Sequence, residues 1–367
     1  MFPGANTPRG FYTYYDNICD KTKALRFYCL KGGPGVGKSS YMKKVAEAFL
    51  NGGERVELFH CSSDPHSLDG IRLVDYEIVM VDGTSPHIID PVYPAAVDEI
   101  INLGDYWNAN GIKLHKYDIM STQQNISYEY SRAYKYLAAA ESISADNDEI
   151  YKNATDFDSS VNLATDICGK VFDHRSQGTS KRIRKLFASA LTPAGLVNYS
   201  DTVLYDCDRV YAFSVGDDNG SLICADEIMN MIARQAYVNG YSSELYYCPM
   251  KPESRIEHIV IPELKQGFTV LNRYNNDETV ATEIFNLTEF VNRAKIRENA
   301  DKISDNNEMY RELLLTAEAS LKNAYWLHNT LESYYVPYIR FDEVNEHCNN
   351  TVNNIKAEIE RIKNSND

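Results

Sequence analysis

Short apolar runs separated by amphipathic stretches govern the reading of this chain. Leu25-Arg26-Phe27-Tyr28-Cys29-Leu30, residues 56–61 and residues 77–82 have the length and apolar density of buried strands. Residues 38–50, between the first two, carry helical spacing and stop at Asn51-Gly52. Strand, loop, helix, strand, short turn, strand is the pattern of a parallel α/β sheet with right-handed crossovers. Beyond it the period changes. Apolar and tyrosine residues such as Tyr130, Tyr134 and Leu137 predict helices over about 123–142 and 149–168, and these stripes read as core positions.

The same landmarks then recur in the same order at an offset near 185. Thr7-Pro8-Arg9-Gly10 returns as Thr192-Pro193-Ala194-Gly195, and Tyr14 and Asp16 return as Tyr199 and Asp201. Asn51-Gly52 has its counterpart in Asn239-Gly240, the strand at 56–61 in that at 243–248, and Phe157-Asp158 in Phe341-Asp342. A second pair of helices is expected at about 306–331 and 342–362, separated by Pro337. The expected architecture is two tandem α/β domains in one chain, residues 1–187 and 188–367, each with a parallel sheet and an appended helical hairpin. Such a chain is an internal pseudo-dimer.

The loop after the first strand narrows the chemistry. Gly32-Gly33-Pro34-Gly35-Val36-Gly37-Lys38-Ser39 fills the G-x-x-x-x-G-K-[ST] pattern between a strand and a helix. Its glycines let backbone N–H groups wrap a polyphosphate, and the positive end of the following helix favours the same anion. Lys38 is placed to neutralise phosphate charge, Ser39 to hold Mg²⁺ through its hydroxyl, and Ser40 to extend the cradle. Asp82 ends an apolar strand downstream, where such proteins keep the carboxylate that orders Mg²⁺. Gly83 follows it, so the acidic neighbour that positions attacking water in many ATPases is absent. Thr84 and His87 lie in the next loop, at the carboxyl edge of the sheet where ligands bind, and are further candidates at the γ-phosphate. His60, Cys61 and Asp64 end another strand at that edge, and Asp64-Pro65 reads as a plain turn.

The second copy has lost this chemistry. Its loop reads Gly216-Asp217-Asp218-Asn219-Gly220-Ser221-Leu222, with two carboxylates inside the would-be anion nest and leucine near the lysine position. A basic cluster, Arg175, Lys181, Arg182, Arg184 and Lys185, reads as a solvated linker helix, with an arginine delivered to the phosphates as the alternative. His115-Lys116-Tyr117-Asp118 misses the guanine-reading N-K-x-D signature at its first position, which leaves ATP as the default nucleotide.

Composition removes several classes of partner. With 52 acidic against 37 basic residues the formal charge is −15, which repels nucleic acid and acidic membrane surfaces. The eight cysteines show no C-x-x-C pair, so a reducing cytoplasm is expected. No apolar segment approaches a bilayer span, and the N-terminal residues lack a secretory pattern.

With both copies in view, the chain resembles a bacterial family of tandem P-loop ATPase-like proteins that has no established substrate. The resemblance rests on Gly32 to Ser39, on Asp82-Gly83-Thr84-Ser85-Pro86-His87, and on the T-P-x-G element that opens each copy. It implies a cytoplasmic protein that binds ATP with Mg²⁺ at one competent site and hydrolyses it slowly or uses it as a switch. Protein or small-molecule partners are expected. A phosphoryl-transfer kinase and a non-catalytic ATP-binding interaction protein are the alternatives.

Overall fold

The structure is a computed structural model and describes residues 1–85, 88–172, 182–215, 222–272 and 274–365. The first half of the chain contributes β1 (Gly4–Thr7), β2 (Gly10–Thr13), β3 (Arg26–Lys31), α1 (Lys38–Leu50), β4 (Val56–His60), β5 (Leu68–Leu73), β6 (Ile78–Asp82), β7 (Asp98–Asn102), α2 (Ala109–Lys113), α3 (Lys116–Ala154) and α4 (Phe157–Val171). The second contributes β8 (Ile183–Leu186), β9 (Ser189–Thr192), β10 (Gly195–Asn198), α5 (Ser200–Val203), β11 (Arg209–Ser214), α6 (Leu222–Val238), β12 (Ser243–Tyr247), β13 (Ile256–Ile261), β14 (Gln266–Leu271), β15 (Glu283–Asn286), α7 (Arg293–Glu298), α8 (Ala300–Ser333) and α9 (Phe341–Ser365). Two compact units result, one of Tyr15–Tyr130 with Leu321–Asp367 and one of Met1–Tyr14 with Ser131–Ser320.

In the unit holding the glycine-rich loop, a five-stranded sheet has the order β4-β5-β6-β3-β7. β3 lies parallel between β6 and β7, whereas β5 is antiparallel to both β4 and β6. The sheet is therefore mixed, where the sequence pattern implied a parallel one. The links around β5 are too short for a crossover, which takes a dozen or more residues. The turn Val74–Tyr76, closing on Glu77 at φ 50°, returns the chain directly into β6. β5 itself reads Leu68-Asp69-Gly70-Ile71-Arg72-Leu73, with neither alternation nor an apolar run, and so carries no strand signature.

Tyr28 and Leu30 of β3 and Ile78 and Met80 of β6 pack in one core with Met42, Val45 and Phe49 of α1 and Val344, Ile355 and Ile359 of α9. Phe27, Cys29, Val79 and Val81 alternate onto the other face and are also buried. Gly83 sits against that face, and a Cβ there would overlap Cys29 Sγ and lie 3.3 Å from the Ile89 carbonyl oxygen. Gly83→Ala is expected to cost about 1–3 kcal/mol through overpacking. Urea unfolding measures it; an unchanged midpoint would show that the loop after β6 yields without strain.

The other unit has the sheet order β15-β11-β14-β13-β12-β8. From β12 to β15, order and strand senses match those from β4 to β7: β11 is parallel to β14 and β15, and β13 is antiparallel to β12 and β14. Cys224, Ile228 and Ile232 of α6 share a core with Ala164 and Ile167 of α4 and with Tyr211, Phe213 and Phe268 of the sheet. Both T-P-x-G elements fold as the same tight hairpin turn in this unit. Thr7 Oγ1 donates to the Gly10 carbonyl at 2.7 Å and Thr192 Oγ1 to that of Gly195 at 2.8 Å, with the glycines at φ 91° and 89°.

The helical hairpins are exchanged between the halves. α4, from the first half, packs in the unit of the second-half sheet, and α9, from the second half, in the unit of the first-half sheet. The position 187/188 is not a boundary of either compact unit. α3 also runs to Ala154, through the polar stretch where a break near 142–149 was expected. Tertiary pairing overrides propensity there: the buried Asn147 exchanges side-chain hydrogen bonds with Asn306 and Asn307 of α8 at 2.9 and 3.1 Å.

All eight cysteines are free. Among the described residues no helix is long and apolar enough to cross a membrane.

Candidate functional site

The glycine-rich loop joins the carboxyl end of the central strand β3 to the amino end of α1. Gly35 at φ 70° and Gly37 at φ 92° adopt left-handed conformations that a side chain would disfavour, and both punctuate the turn into the helix. Alternation of this kind turns successive N–H groups inward to make an anion nest. Val36 is fully buried in the α1 core and anchors the loop from below, while Gly32, Gly33, Pro34, Gly35 and Gly37 are half-buried and Ser40 is exposed.

Lys38, Ser39, Asp82 and Thr84 converge on this loop. The Lys38 ammonium donates to the carbonyl oxygens of Gly32 and Gly33 at 2.9 and 3.1 Å and lies 3.5 Å from Asp82 Oδ2. Asp82 reaches it because β6 pairs with β3 in the register Leu30↔Asp82, which ends the two strands together. The Leu68 amide donates to Ser39 Oγ at 2.9 Å. Thr84 ties the two sides: its amide donates to Asp82 Oδ1 at 2.8 Å and its hydroxyl to the Gly32 carbonyl at 3.0 Å. His87 lies outside the described residues.

Other candidates have structural duties. Asp64 accepts from the His66 amide and the Ser67 hydroxyl at 3.1 and 2.6 Å, which is the plain turn its sequence suggested. Burial pushes the His60 pKa down to about 4, and its Nδ1 meets the Pro65 carbonyl oxygen at 2.9 Å. Of the basic cluster, Arg175 and Lys181 lie outside the described residues. Arg184 and Lys185 belong to β8, not to a linker helix, because β8 pairs in parallel with β12. Arg184 is buried against Glu244 at 2.9 Å, and the Lys185 ammonium sits 5.6 Å from the Tyr247 ring centroid. His115 packs on Tyr334 and meets the Tyr338 hydroxyl at 3.2 Å, at the entry to α3.

Four contributors to the loop's surroundings, Glu332, His328, Trp107 and Tyr335, come from far along the chain. Gly35 N–H donates to Glu332 Oε1 at 3.1 Å, and His328 Nδ1 is 3.8 Å from the same oxygen. Burial lowers the His328 pKa, against the opposing pull of Glu332. Trp107, from the segment after β7, packs over Gly33 beside Tyr335, so that a Cβ at Gly33 would sit 3.1 Å from its ring. Trp107 also lines an open pocket of about 520 Å³ with Asn108, Asn110, Tyr338 and Arg340. No local sequence signal marks these residues, since separations of up to 297 positions leave no periodic trace.

The second loop, Gly216 to Ser221, lies outside the described residues. Asn272 follows β14, and its side-chain oxygen accepts from the Tyr274 amide at 2.8 Å, as Asp82 Oδ1 accepts from the Thr84 amide. In the second turn of α6, Asp226 pairs with the buried Arg255 at 3.0 Å, and Asp148 of α3 binds both Arg255, at 3.7 Å, and Lys251.

A left-handed glycine turn, a lysine and a carboxylate thus meet at the end of the central strands of a mixed α/β sheet, and this is the candidate functional site. No protein-family model, curated protein or solved structure matches the chain.

Proposed function

We propose that the chain binds ATP with Mg²⁺ at the first-half loop and works as a slow ATPase or ATP-dependent switch. The convergence of Lys38, Asp82 and the left-handed Gly35–Gly37 turn at the amino end of α1 carries this reading. The loop amides and Lys38 hold the phosphates, and Thr84 keeps the Asp82 carboxylate and the Gly32 carbonyl in place. Ser39 Oγ and Asp82 are hard oxygen donors that would hold Mg²⁺. When bound, the ion neutralises charge on the β- and γ-phosphates. The pocket that Trp107 lines is the candidate position for the nucleoside end.

The second half is read as a pseudo-domain of a tandem duplication. The matching strand orders support the duplication, and the carboxylates Asp217 and Asp218 argue against a second triphosphate site. Calorimetric titration with ATP·Mg²⁺ is expected to give one nucleotide per chain; a value near two would overturn the pseudo-domain. Asp82→Asn is expected to reduce Mg²⁺-dependent phosphate release at least about tenfold while leaving metal-free ATP binding near that of the parent. Parental turnover in that variant would place the metal carboxylate elsewhere.

One observation favours phosphoryl transfer to an acceptor as the second reading. Gly83 follows Asp82, so this strand end supplies no second acid for attacking water. ATP consumption that begins only when an acceptor is added selects the kinase.

A further inference from the structure

The carboxylate of Glu332 sits on the phosphate nest. Its Oε1 accepts from Gly35 N–H at 3.1 Å, the amide at the crest of the loop's left-handed turn. The approach is close: a Cβ at Gly35 would lie 2.8 Å from Val336 Cγ2 and 3.4 Å from Glu332 Cβ, so only glycine lets the end of α8 come this near. A carboxylate and a phosphate oxygen make the same charge-assisted bond to a backbone N–H. One amide donor cannot serve both fully, and two anions in one nest repel.

The other unit shows what a permanently held acid looks like. Asp148 lies 184 positions before Glu332, the same spacing that separates Phe157 from Phe341, and it occupies the corresponding stretch of the other long helix. Asp148 is locked by two fixed cations, Lys251 and Arg255. Among the described residues the Glu332 carboxylate has no lysine or arginine within ion-pair distance, and its polar partners are the Gly35 amide and His328. Its side chain is 38% exposed, which leaves a route outward.

We propose that Glu332 is an exchangeable internal competitor for the phosphate nest, so that polyphosphate binding at the loop displaces the end of α8. This rests on the nucleotide reading above and adds a gate to it. The Gly35 amide passes from carboxylate to phosphate, and the α8–α9 junction, Glu332 to Val336, moves away from the loop as the ligand enters. The competitor sets an affinity ceiling on the site and reports occupancy to a helix that begins in the other compact unit.

Titration of the full chain with ATP, with and without Mg²⁺, tests this in the parent and in Glu332→Gln and Glu332→Ala. Loss of a competing charged hydrogen bond is expected to tighten ATP binding by about three- to tenfold, more in the alanine variant than in the glutamine variant. Unchanged affinity in both variants, with the parent binding ATP, overturns the gate and leaves the nucleotide reading standing. Unchanged affinity with lost turnover assigns Glu332 to the chemistry and likewise overturns the gate. If neither the parent nor the variants bind ATP, the nucleotide reading fails and the gate with it. Hydrogen exchange on the unmodified chain supplies a second readout that needs no variant. Amides of residues 328–336 are expected to lose protection when ATP is added, and a gain of protection there overturns the displacement.

Discussion

Lys38→Ala is expected to weaken binding of ATP by at least about tenfold, both with and without Mg²⁺. The substitution removes a charge-assisted contact of about 1.5–3 kcal/mol to the phosphates, which converts to that factor or more. The fold has little reason to suffer. Lys38 opens α1, its side chain bonds the carbonyl oxygens of Gly32 and Gly33, and it is not part of the apolar core. Trp107 lies against Gly33, so its fluorescence in a Trp326→Phe background offers an equilibrium readout beside calorimetry. A Lys38→Ala protein that melts like the parent and binds ATP as well would remove the foundation of the functional reading. The comparison with Asp82→Asn sharpens it: the lysine acts on the phosphates directly and the carboxylate acts through the metal, so only the lysine variant is expected to lose metal-free binding.

The second large effect concerns the unit without an intact glycine-rich loop. Arg255→Met is expected to destabilise the protein by about 3–5 kcal/mol, because it leaves the partly buried carboxylates of Asp226 and Asp148 without their shared arginine. Arg255 is 8% exposed, and its guanidinium makes a two-pronged contact with Asp226 at 3.0 Å while approaching Asp148 at 3.7 Å. Burial works against the arginine's charge, yet Asp226 and Asp148 outweigh it and hold the proton more firmly than in water. The double variant Arg255→Met with Asp226→Leu is expected to recover much of the loss, since an apolar pair needs no compensating charge. Urea unfolding of the three proteins measures both steps. A single-variant loss below about 1 kcal/mol would mean that the network is solvated and contributes little.

Local chemistry was legible where it depends on neighbours in sequence. The glycine-rich loop, the helix from Lys38 to Leu50 that follows it and the apolar strand ending in Asp82 are each set by a short run of residues, and the structure places Lys38 and Asp82 3.5 Å apart. The T-P-x-G turns belong to the same class, since a threonine side chain and a left-handed glycine close them within four residues. The antiparallel strand β5 was not legible. It is buried along its whole length, so burial erases the alternation, and its Asp69, Gly70 and Arg72 dilute the apolar signal. The surroundings of the loop were hidden for the reason of distance, because Glu332, Tyr335 and Val336 share no pattern with Gly33 and Gly35.

The amino-acid sequence by itself determined the glycine-rich turn, the helix that follows it and the apolar strand ending in Asp82, because each follows from local periodicity and from which residues tolerate a left-handed backbone. Only the tertiary structure decided which helix covers which sheet and which acid lies on the nest. Burial of apolar area is non-directional and does not by itself match a helix to a sheet. The choice is made by specific contacts instead: Cys348 and Ile355 of α9 beside α1, Ala164 and Ile167 of α4 beside α6, and Glu332 on the Gly35 amide.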